Sequence, residues 1–138
     1  KPVSLLMIDV DCFKTINDVY GHPAGDAVLE HIGAIMKKNF RNVDLPARYG
    51  GEEFAVILPD TDRDQAVAIA ERLRNKIAEY KFPVDKGFIS ATISIGGATW
   101  SSREKGDASP ERLIGAADRS LYQAKQRGRN VTVFADGC

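Results

Sequence analysis

Hydrophobic residues recur along the chain with spacings that predict alternating strands and helices. The opening KPVSLLMIDV is apolar almost without interruption from Val3 to Ile8, a pattern typical of a strand buried on both faces, and it ends at a carboxylate, Asp9. After the bend at residues 21–23, apolar positions at helical spacing predict an amphipathic helix from about Ala24 to Phe40.

The middle of the chain predicts a hairpin followed by a second helix. LPARYG and EEFAVILP are extended runs around Gly50 and Gly51, a dipeptide suited to a two-residue turn, so the two strands should pair antiparallel. The helix should begin near Thr61 or Asp62 as N-cap and carry an apolar stripe as far as Tyr80. We expect residues 81–90 to form a short irregular connection.

The last third of the chain predicts a strand, a loop, a helix and a final strand. ATISIG alternates apolar and polar positions, and we expect a loop from Gly97 to Ala108 after it. Ser109 as N-cap and Pro110 at the first helical position indicate a third helix, which Gly128 ends before the strand VTVF. The order β-α-β-β-α-β-α-β predicts an α+β fold, a sheet layered with helices, in a single domain over residues 1–138.

Composition narrows the classes of partner. The 138 residues carry 19 basic and 19 acidic side chains, so no excess charge attracts nucleic acid or a membrane surface, and any phosphate site must be local. No apolar run reaches the roughly 20 residues of a spanning helix. The two cysteines, Cys12 and Cys138, lack metal or disulfide spacing, which favours a cytoplasmic location.

Adjacent glutamates follow the glycine pair and are the first candidates for chemistry. Successive side chains of a strand point to opposite faces, so Glu52 and Glu53 should have different roles, with Glu52 meeting Asp9 and Glu53 pointing elsewhere. Two carboxylates at the rim of a sheet suit Mg²⁺ when phosphates supply further ligands. For GGEE alone, an ordinary hairpin with solvated glutamates is the commoner interpretation.

The segment DVDCFKTINDVYGHPAGD gives this metal hypothesis a nucleotide context. If a helix starts at Phe13 and Lys14, its free N–H groups offer a site for a triphosphate beside the metal. Asn17 and Asp26 flank the bend, and a carboxylate that accepts from guanine would select GTP over ATP. Taken singly, each residue also fits a local role, as a turn residue or as a first-turn acid.

Two basic residues near the end of the third helix complete the candidate set. Lys125 and Arg129 lie about one turn apart in AKQRGRN and are placed to reach β- and γ-phosphates. Cations also stabilise any helix C-terminus, so this position alone does not indicate a ligand.

Four blocks in order resemble the GGDEF family of diguanylate cyclases: DVDCFKTINDVYGHPAGD, RNVDLPARYGGEEF, ATISIG and AADRSLYQAKQRGRN. The resemblance implies a palm-like, mostly antiparallel sheet similar to nucleotidyl cyclase catalytic domains. It also implies condensation of two GTP into cyclic di-GMP, with Mg²⁺ or Mn²⁺, between two protomers that meet face to face. The glutamate at position 52 departs from the aspartate of the family name and is chemically conservative.

The resemblance assigns roles to individual positions. It implies metal ligation by the Asp9 and Glu52 side chains and the Val10 carbonyl, with Glu53 as a further active-site acid. The positions that match GTP contacts are Phe13, Lys14, Asn17, His22, Asp26, Gly50, Gly51, Lys125 and Arg129.

A further block implies regulation by the product. Arg41 and Asp44 in RNVD match the family's RxxD inhibitory site for cyclic di-GMP, and Arg72 matches a residue supplied by the second protomer. Taken apart from its position relative to the GGEEF block, RNVD is interpreted as solvated charge between a helix and a strand.

The resemblance also sets expectations for the rest of the protein and for a rival function. Family members usually carry a helical segment with a DxLTGLxNR-like block, linked to a sensor domain, and here the chain starts at the first strand. We therefore expect a domain that binds GTP yet turns over slowly unless two copies are held together. The alternative is an inactive module that binds GTP or cyclic di-GMP and acts through protein contacts; retention of Asp9, Glu52 and Glu53 favours catalysis.

Overall fold

The computed structural model describes residues 1–101 and 109–136. Seven strands and four helices follow one another in these ranges. In chain order they are β1 (Val3–Val10), α1 (Phe13–Tyr20), α2 (His22–Asn39), β2 (Leu45–Gly50), β3 (Glu53–Pro59), α3 (Arg63–Glu79), β4 (Phe82–Val84), β5 (Gly87–Ile89), β6 (Ile93–Trp100), α4 (Pro110–Gln126) and β7 (Thr132–Phe134).

Five strands form the main sheet in the order β2-β3-β1-β6-β7. All neighbours are antiparallel except β6 and β7, which are parallel. β1 is central, and its end places Asp9 between Glu53 of β3 and Ser94 of β6. This mixed, mostly antiparallel sheet with helices confirms the α+β prediction.

Helices cover both faces of β1, which explains its uninterrupted apolar sequence. Leu6, Ile8 and Val10 are buried in the larger core, to which α2 and α3 contribute. Leu5 and Met7 are buried on the other face against α4. Since side chains alternate along a strand, Asp9 lies on the α4 face.

The predicted starts of α3 and α4 agree with the structure. The side chain of Asp62 accepts a hydrogen bond from the backbone N–H of Gln65, and the Gln65 side chain accepts from the N–H of Asp62, which completes a capping box. Ser109 caps α4 through the N–H of Arg112, with Pro110 in the first turn.

Three local predictions are wrong. Residues 81–90 contain the β4–β5 hairpin instead of an irregular connection, because Phe82 is fully buried beside the ring of Tyr80. The loop predicted from Gly97 begins after Trp100, since β6 stays paired with β1 to that residue; residues 102–108 lie outside the described ranges. The α2 helix begins at His22, because Pro23 is accommodated in its first turn.

The turn of the β2–β3 hairpin is also displaced by one residue from the prediction. Gly50 pairs with Glu53, so Gly51 and Glu52 form the turn, and a bulge between Arg48 and Gly50 absorbs the shift. This change decides which glutamate belongs to the strand.

Candidate active site

The end of β1 meets the β2–β3 turn at one corner of the sheet. Asp9, only 6% exposed, lies directly opposite Glu53 on the neighbouring strand. The N–H of Val10 donates to the carbonyl of Glu52 at 3.2 Å, which fixes the turn against the end of β1. The corner thus brings three predicted acidic residues together.

The two glutamates do not separate as predicted. We expected Glu53 to point away from Asp9, and this is wrong, because Glu52 lies in the turn and the strand starts at Glu53. Directly opposed residues of antiparallel strands share a face, so Glu53 accompanies Asp9. Burial, followed by the charge of Asp9, raises the pKa of Glu53.

Asp9 has one satisfied and one unsatisfied carboxylate oxygen. Lys125 of α4 donates to Oδ2, whereas the buried Oδ1 has no hydrogen-bond partner among the described residues. Burial raises the pKa of Asp9; Lys125 opposes this shift, and Glu52 and Asp11 add to it. A buried acceptor without a partner costs about 1–3 kcal/mol, which a bound cation would offset.

The donor set of this corner fits a hard divalent cation whose remaining ligands come from a substrate. The described residues contain no cluster of three or more histidine, cysteine or acidic side chains arranged to hold an ion alone. Asp9 and Glu52 offer oxygen ligands, and the cationic amine of Lys125 already lies against Asp9. Mg²⁺ is typically bound in this way, by one or two carboxylates and substrate phosphates.

The first turn of α1 lies just beyond the end of β1. Phe13 and Lys14 open the helix, so their backbone N–H groups have no intrahelical acceptor. The N-cap residue Cys12, at a φ of 54°, makes no side-chain cap. The positive end of this helix dipole is therefore available beside the acidic corner.

The predicted guanine pair lies where α1 and α2 pack. Oδ1 of Asn17 is buried without a hydrogen-bond partner among the described residues. A Cβ on Gly25 would lie 1.9 Å from this oxygen, so only glycine fits there. Asp26 and His22 are exposed on the first turns of α2. The Asn17 oxygen thus lies against Gly25 of α2, one residue before Asp26.

The hairpin glycines border the corner, and Arg129 lies just beyond the end of α4. Gly50 and Gly51 have no protein atom within 4 Å of where a Cβ would stand, so the backbone there is open to a ligand. Arg129 follows α4 in a left-handed conformation with φ at 66°, and its side chain is exposed.

Comparison with known proteins identifies the family of this chain. A family model described as "Diguanylate cyclase, GGDEF domain" matches residues 1–131. The chain belongs to the GGDEF family. This GGDEF domain is 47% identical over 130 residues to diguanylate cyclase A of Treponema denticola, covering 94% of this chain and 34% of that protein. It is 48% identical over 134 residues to the response regulator PleD of Caulobacter vibrioides, covering 96% and 29%. The chain therefore spans about a third of the length of these curated relatives.

Solved GGDEF structures share the fold. The active GGEEF domain of a diguanylate cyclase from Vibrio cholerae superimposes with a TM-score of 0.90 at 30% identity, covering 100% of this chain and 85% of the other. The GGDEF domain of DgcB from Caulobacter crescentus in complex with c-di-GMP gives 0.88 at 29% identity, covering 96% and 77%. In the part of this GGDEF domain that the structure describes, no helix has the length and hydropathy needed to cross a membrane.

The predicted inhibitory residues lie at the opposite end of β3, about 20 Å along the strand from Glu53. Arg41 donates to Asp44, to the carbonyl of Pro59 and to Thr61 at 2.8–3.3 Å. The side chain of Asp44 is 1% exposed and that of Arg41 is 51% exposed. Arg72 donates to the carbonyl of Asn39 in the same GGDEF domain and so lies near this patch.

Sequence reasoning gave no role to Asp11 and did not mention Arg74. Asp11 is buried and accepts three hydrogen bonds, from Thr92, Ser94 and the backbone of Asn130. Those donors are 81–119 residues away along the chain, so no local pattern could reveal them. The only signal in the sequence was the second aspartate in DVDCF.

Proposed function

We propose that this domain is a diguanylate cyclase that condenses two GTP into cyclic di-GMP and releases two pyrophosphates. The observation that carries the proposal is the unsatisfied, buried Oδ1 of Asp9 beside Glu52, Glu53 and Lys125. The names of two relatives support it, since one is a diguanylate cyclase and the other the active GGEEF domain of one.

Mg²⁺, or Mn²⁺ in its place, would be held by Asp9, Glu52 and the carbonyl of Val10. When bound, the ion neutralises the charge that develops as a phosphoanhydride bond breaks. Lys125 donates to Asp9 in this structure, and with a cation at Asp9 its amine would be available to the phosphates. Glu53, which lies opposite Asp9, would be a further acid of the active site.

The residues of α1 and α2 would choose and orient the nucleotide. Asn17 and Asp26 accept hydrogen bonds from the guanine edge. His22 is exposed on the first turn of α2, near Asp26. The first-turn N–H groups of Phe13 and Lys14 bind the phosphates, and the open backbone at Gly50 and Gly51 admits them closely. Arg129 adds a second cation near the β- and γ-phosphates.

One domain holds one GTP, so the reaction requires two protomers face to face. Each 3′-hydroxyl forms a bond to the α-phosphorus of the other nucleotide, the α–β phosphoanhydride bond breaks, and pyrophosphate leaves with the electron pair. Each hydroxyl proton passes to a base or to water. The homodimer is therefore part of the proposed active assembly.

Cyclic di-GMP would also inhibit the enzyme through Arg41, Asp44 and an Arg72 from a second protomer. Arg41 is accessible, while Asp44 is enclosed by its ion pair with Arg41. Cyclic di-GMP can contact Asp44 only if the ion pair between Arg41 and Asp44 breaks. Binding should therefore replace the hydrogen bonds of this pair with charge-assisted hydrogen bonds to the nucleotide. The DgcB domain from Caulobacter crescentus was solved in complex with c-di-GMP, which supports a product site in the family.

The test of the catalytic proposal is a product assay. The domain, fused to a dimerising coiled coil, is incubated with Mg²⁺ and GTP, and the nucleotides are resolved by chromatography and mass spectrometry. We expect cyclic di-GMP and pyrophosphate in a 1:2 ratio, and none from Glu52→Ala. Pyrophosphate without the cyclic dinucleotide, or unchanged GTP, would reject the proposal and favour a binding module.

The test of inhibition is calorimetric titration with cyclic di-GMP. Arg41→Ala should remove binding, whereas Arg63→Ala, which loses only an exposed ion pair to Asp136 at 3.7 Å, should not. Equal binding by the wild type and Arg41→Ala would refute the placement.

A further inference from the structure

The segment that carries Arg129 has an unusual backbone. Gly128, Arg129 and Asn130 have φ angles of 106°, 66° and 47° in succession. Glycine adopts such values freely and asparagine tolerates them, but arginine rarely does. A conformation of this kind persists only when its surroundings hold it in place.

Two side chains hold the segment, both at Asn130. Its backbone N–H donates to Oδ2 of Asp11 at 2.9 Å. On its other side, Nη1 of Arg74 donates to the Asn130 carbonyl at 3.2 Å and to its Oδ1 at 2.9 Å. Asn130 is therefore fixed through its donor, its carbonyl and its side chain.

The Asp11 contact is itself rigidly supported. Asp11 is 7% exposed and accepts from Oγ1 of Thr92 at 2.7 Å and from Oγ of Ser94 at 2.6 Å. Ser94 belongs to β6 and is paired with Asp9 of β1. Asp11, the residue after the end of β1, thus ties the segment after α4 to β6.

The Arg74 contact is supported from α3. Glu71 accepts from Arg74 at 2.7 and 2.9 Å and from Oγ1 of Thr132 at 2.7 Å. These hydrogen bonds, chiefly that from Arg74, lower the pKa of Glu71. Arg74 is therefore oriented on one side by Glu71, and Thr132 links the same carboxylate to β7.

We propose that Asp11 and Arg74 are positioning residues for Arg129, which they hold over the phosphate site by fixing Asn130. The inference rests on the proposed function, in which Arg129 contacts the β- and γ-phosphates. Neither residue touches substrate in this scheme. The effect of Arg74 on GTP passes through Arg129 alone, whereas Asp11 also acts on Asp9 through its charge.

Double-mutant cycles distinguish this role from a general contribution to folding. Asp11→Asn, Arg74→Gln and Arg129→Ala are made singly and in pairs with Arg129→Ala in the coiled-coil fusion. Each is measured for kcat and KM with GTP and Mg²⁺, for Kd of GTP with Ca²⁺ by calorimetry, and for thermal stability. Arg63→Gln, on the same helix as Arg74, is the matched control.

We expect Asp11→Asn and Arg74→Gln each to lower kcat/KM and GTP affinity by about 10–100-fold, as a misplaced contact does. In the Arg129→Ala background Arg74→Gln should cost less than about twofold more, because the contact is already absent, and the loss from Asp11→Asn should shrink to the part that acts through Asp9. Arg63→Gln should match the wild type. If Asp11→Asn fails to fold, the double-mutant cycle of Arg74→Gln with Arg129→Ala still tests the proposal.

The opposing outcomes separate this inference from the proposed function. Equal losses with and without Arg129, or no loss in either single variant, would overturn the positioning role. Wild type that binds GTP and gives the expected cycle in Kd, yet forms no cyclic dinucleotide, would refute the cyclase and leave the positioning role supported. Wild type that binds no GTP would overturn both.

Discussion

Gly96 sets the distance between α4 and the sheet, so Gly96→Ala tests whether the helix is seated as closely as the structure shows. A Cβ there would lie 2.1 Å from the backbone nitrogen of Leu121, 2.4 Å from the carbonyl oxygen of Ala117 and 2.6 Å from the Cα of Leu121. Favourable contacts need about 3.5–4.0 Å, and backbone atoms cannot rotate away. The helix must therefore move outward by about 1.4 Å to bring the 2.1 Å contact to about 3.5 Å.

Overpacking of this kind costs about 1–3 kcal/mol. For a domain of 138 residues, each kcal/mol lowers Tm by about 3–4 °C, so Gly96→Ala should lower it by about 3–12 °C. Lys125 lies one turn beyond Leu121 on α4, and its displacement from Asp9 should also reduce GTP turnover about tenfold or more.

The assay is thermal unfolding by circular dichroism, with Gly33→Ala as the matched control. Gly33 lies within α2, and among the described residues no atom outside its own helical backbone and chain neighbours lies within 4 Å of the point where its Cβ would stand, so alanine there should stabilise the helix by up to about 1 kcal/mol. The two substitutions should shift Tm in opposite directions. A Gly96→Ala protein with the Tm and activity of the wild type would refute the close seating of α4.

Three further predictions concern single side chains. Asp9→Asn should abolish cyclase activity while Tm without metal stays equal or rises, because a raised carboxyl pKa means that the ionised form costs folding stability at neutral pH. Glu71→Gln should weaken the fall in stability on acidification. The lowered pKa of Glu71 means that its ionised form stabilises the fold above pH 4.5, and this stabilisation is lost as the pH falls through the folded-state pKa. Urea unfolding at a series of pH values measures the difference. Asn17→Ala should lower kcat/KM for GTP about 5–150-fold and narrow the preference over ATP, in steady-state assays with both nucleotides.

Each of these predictions has an outcome that contradicts it. A marked loss of stability in Asp9→Asn would show that the Lys125 pair outweighs the cost of burial. Parallel pH profiles for the wild type and Glu71→Gln would mean that Arg74 does not stabilise the ionised carboxylate. Unchanged GTP selectivity in Asn17→Ala would remove that residue from the guanine pair.

Local chemistry in the sequence was enough to locate most elements. The apolar opening, the capping residues Asp62 and Ser109 and the glycine hairpin predicted β1, α3, α4 and the β2–β3 pair. The β4–β5 hairpin in residues 81–90 was not predicted because each strand has only three residues, too few to show an alternating pattern. The hairpin depends instead on the burial of Phe82. Tertiary packing decided that segment.

The site was predictable only as far as strand ends could be placed. Asp9 and the start of the second hairpin strand were expected at one rim, and they meet there. The orientation of Glu53 was mispredicted because the turn consists of Gly51 and Glu52, one residue later than expected, so the strand starts at Glu53 and pairs it with Asp9. Asp11 was missed because its hydrogen-bond donors lie far along the chain, on β6 and after α4.

The central claim is that metal and GTP bind at the corner where Asp9 meets the β2–β3 turn. Crystals of the domain grown with Mn²⁺ and a non-hydrolysable GTP analogue would test it by anomalous diffraction at the manganese edge. We predict a manganese peak bound to Oδ1 of Asp9 and to Glu52, the triphosphate at the start of α1, and Lys125 moved from Asp9 to a phosphate. A nucleotide bound elsewhere, or a Lys125–Asp9 pair left intact beside it, would contradict the account.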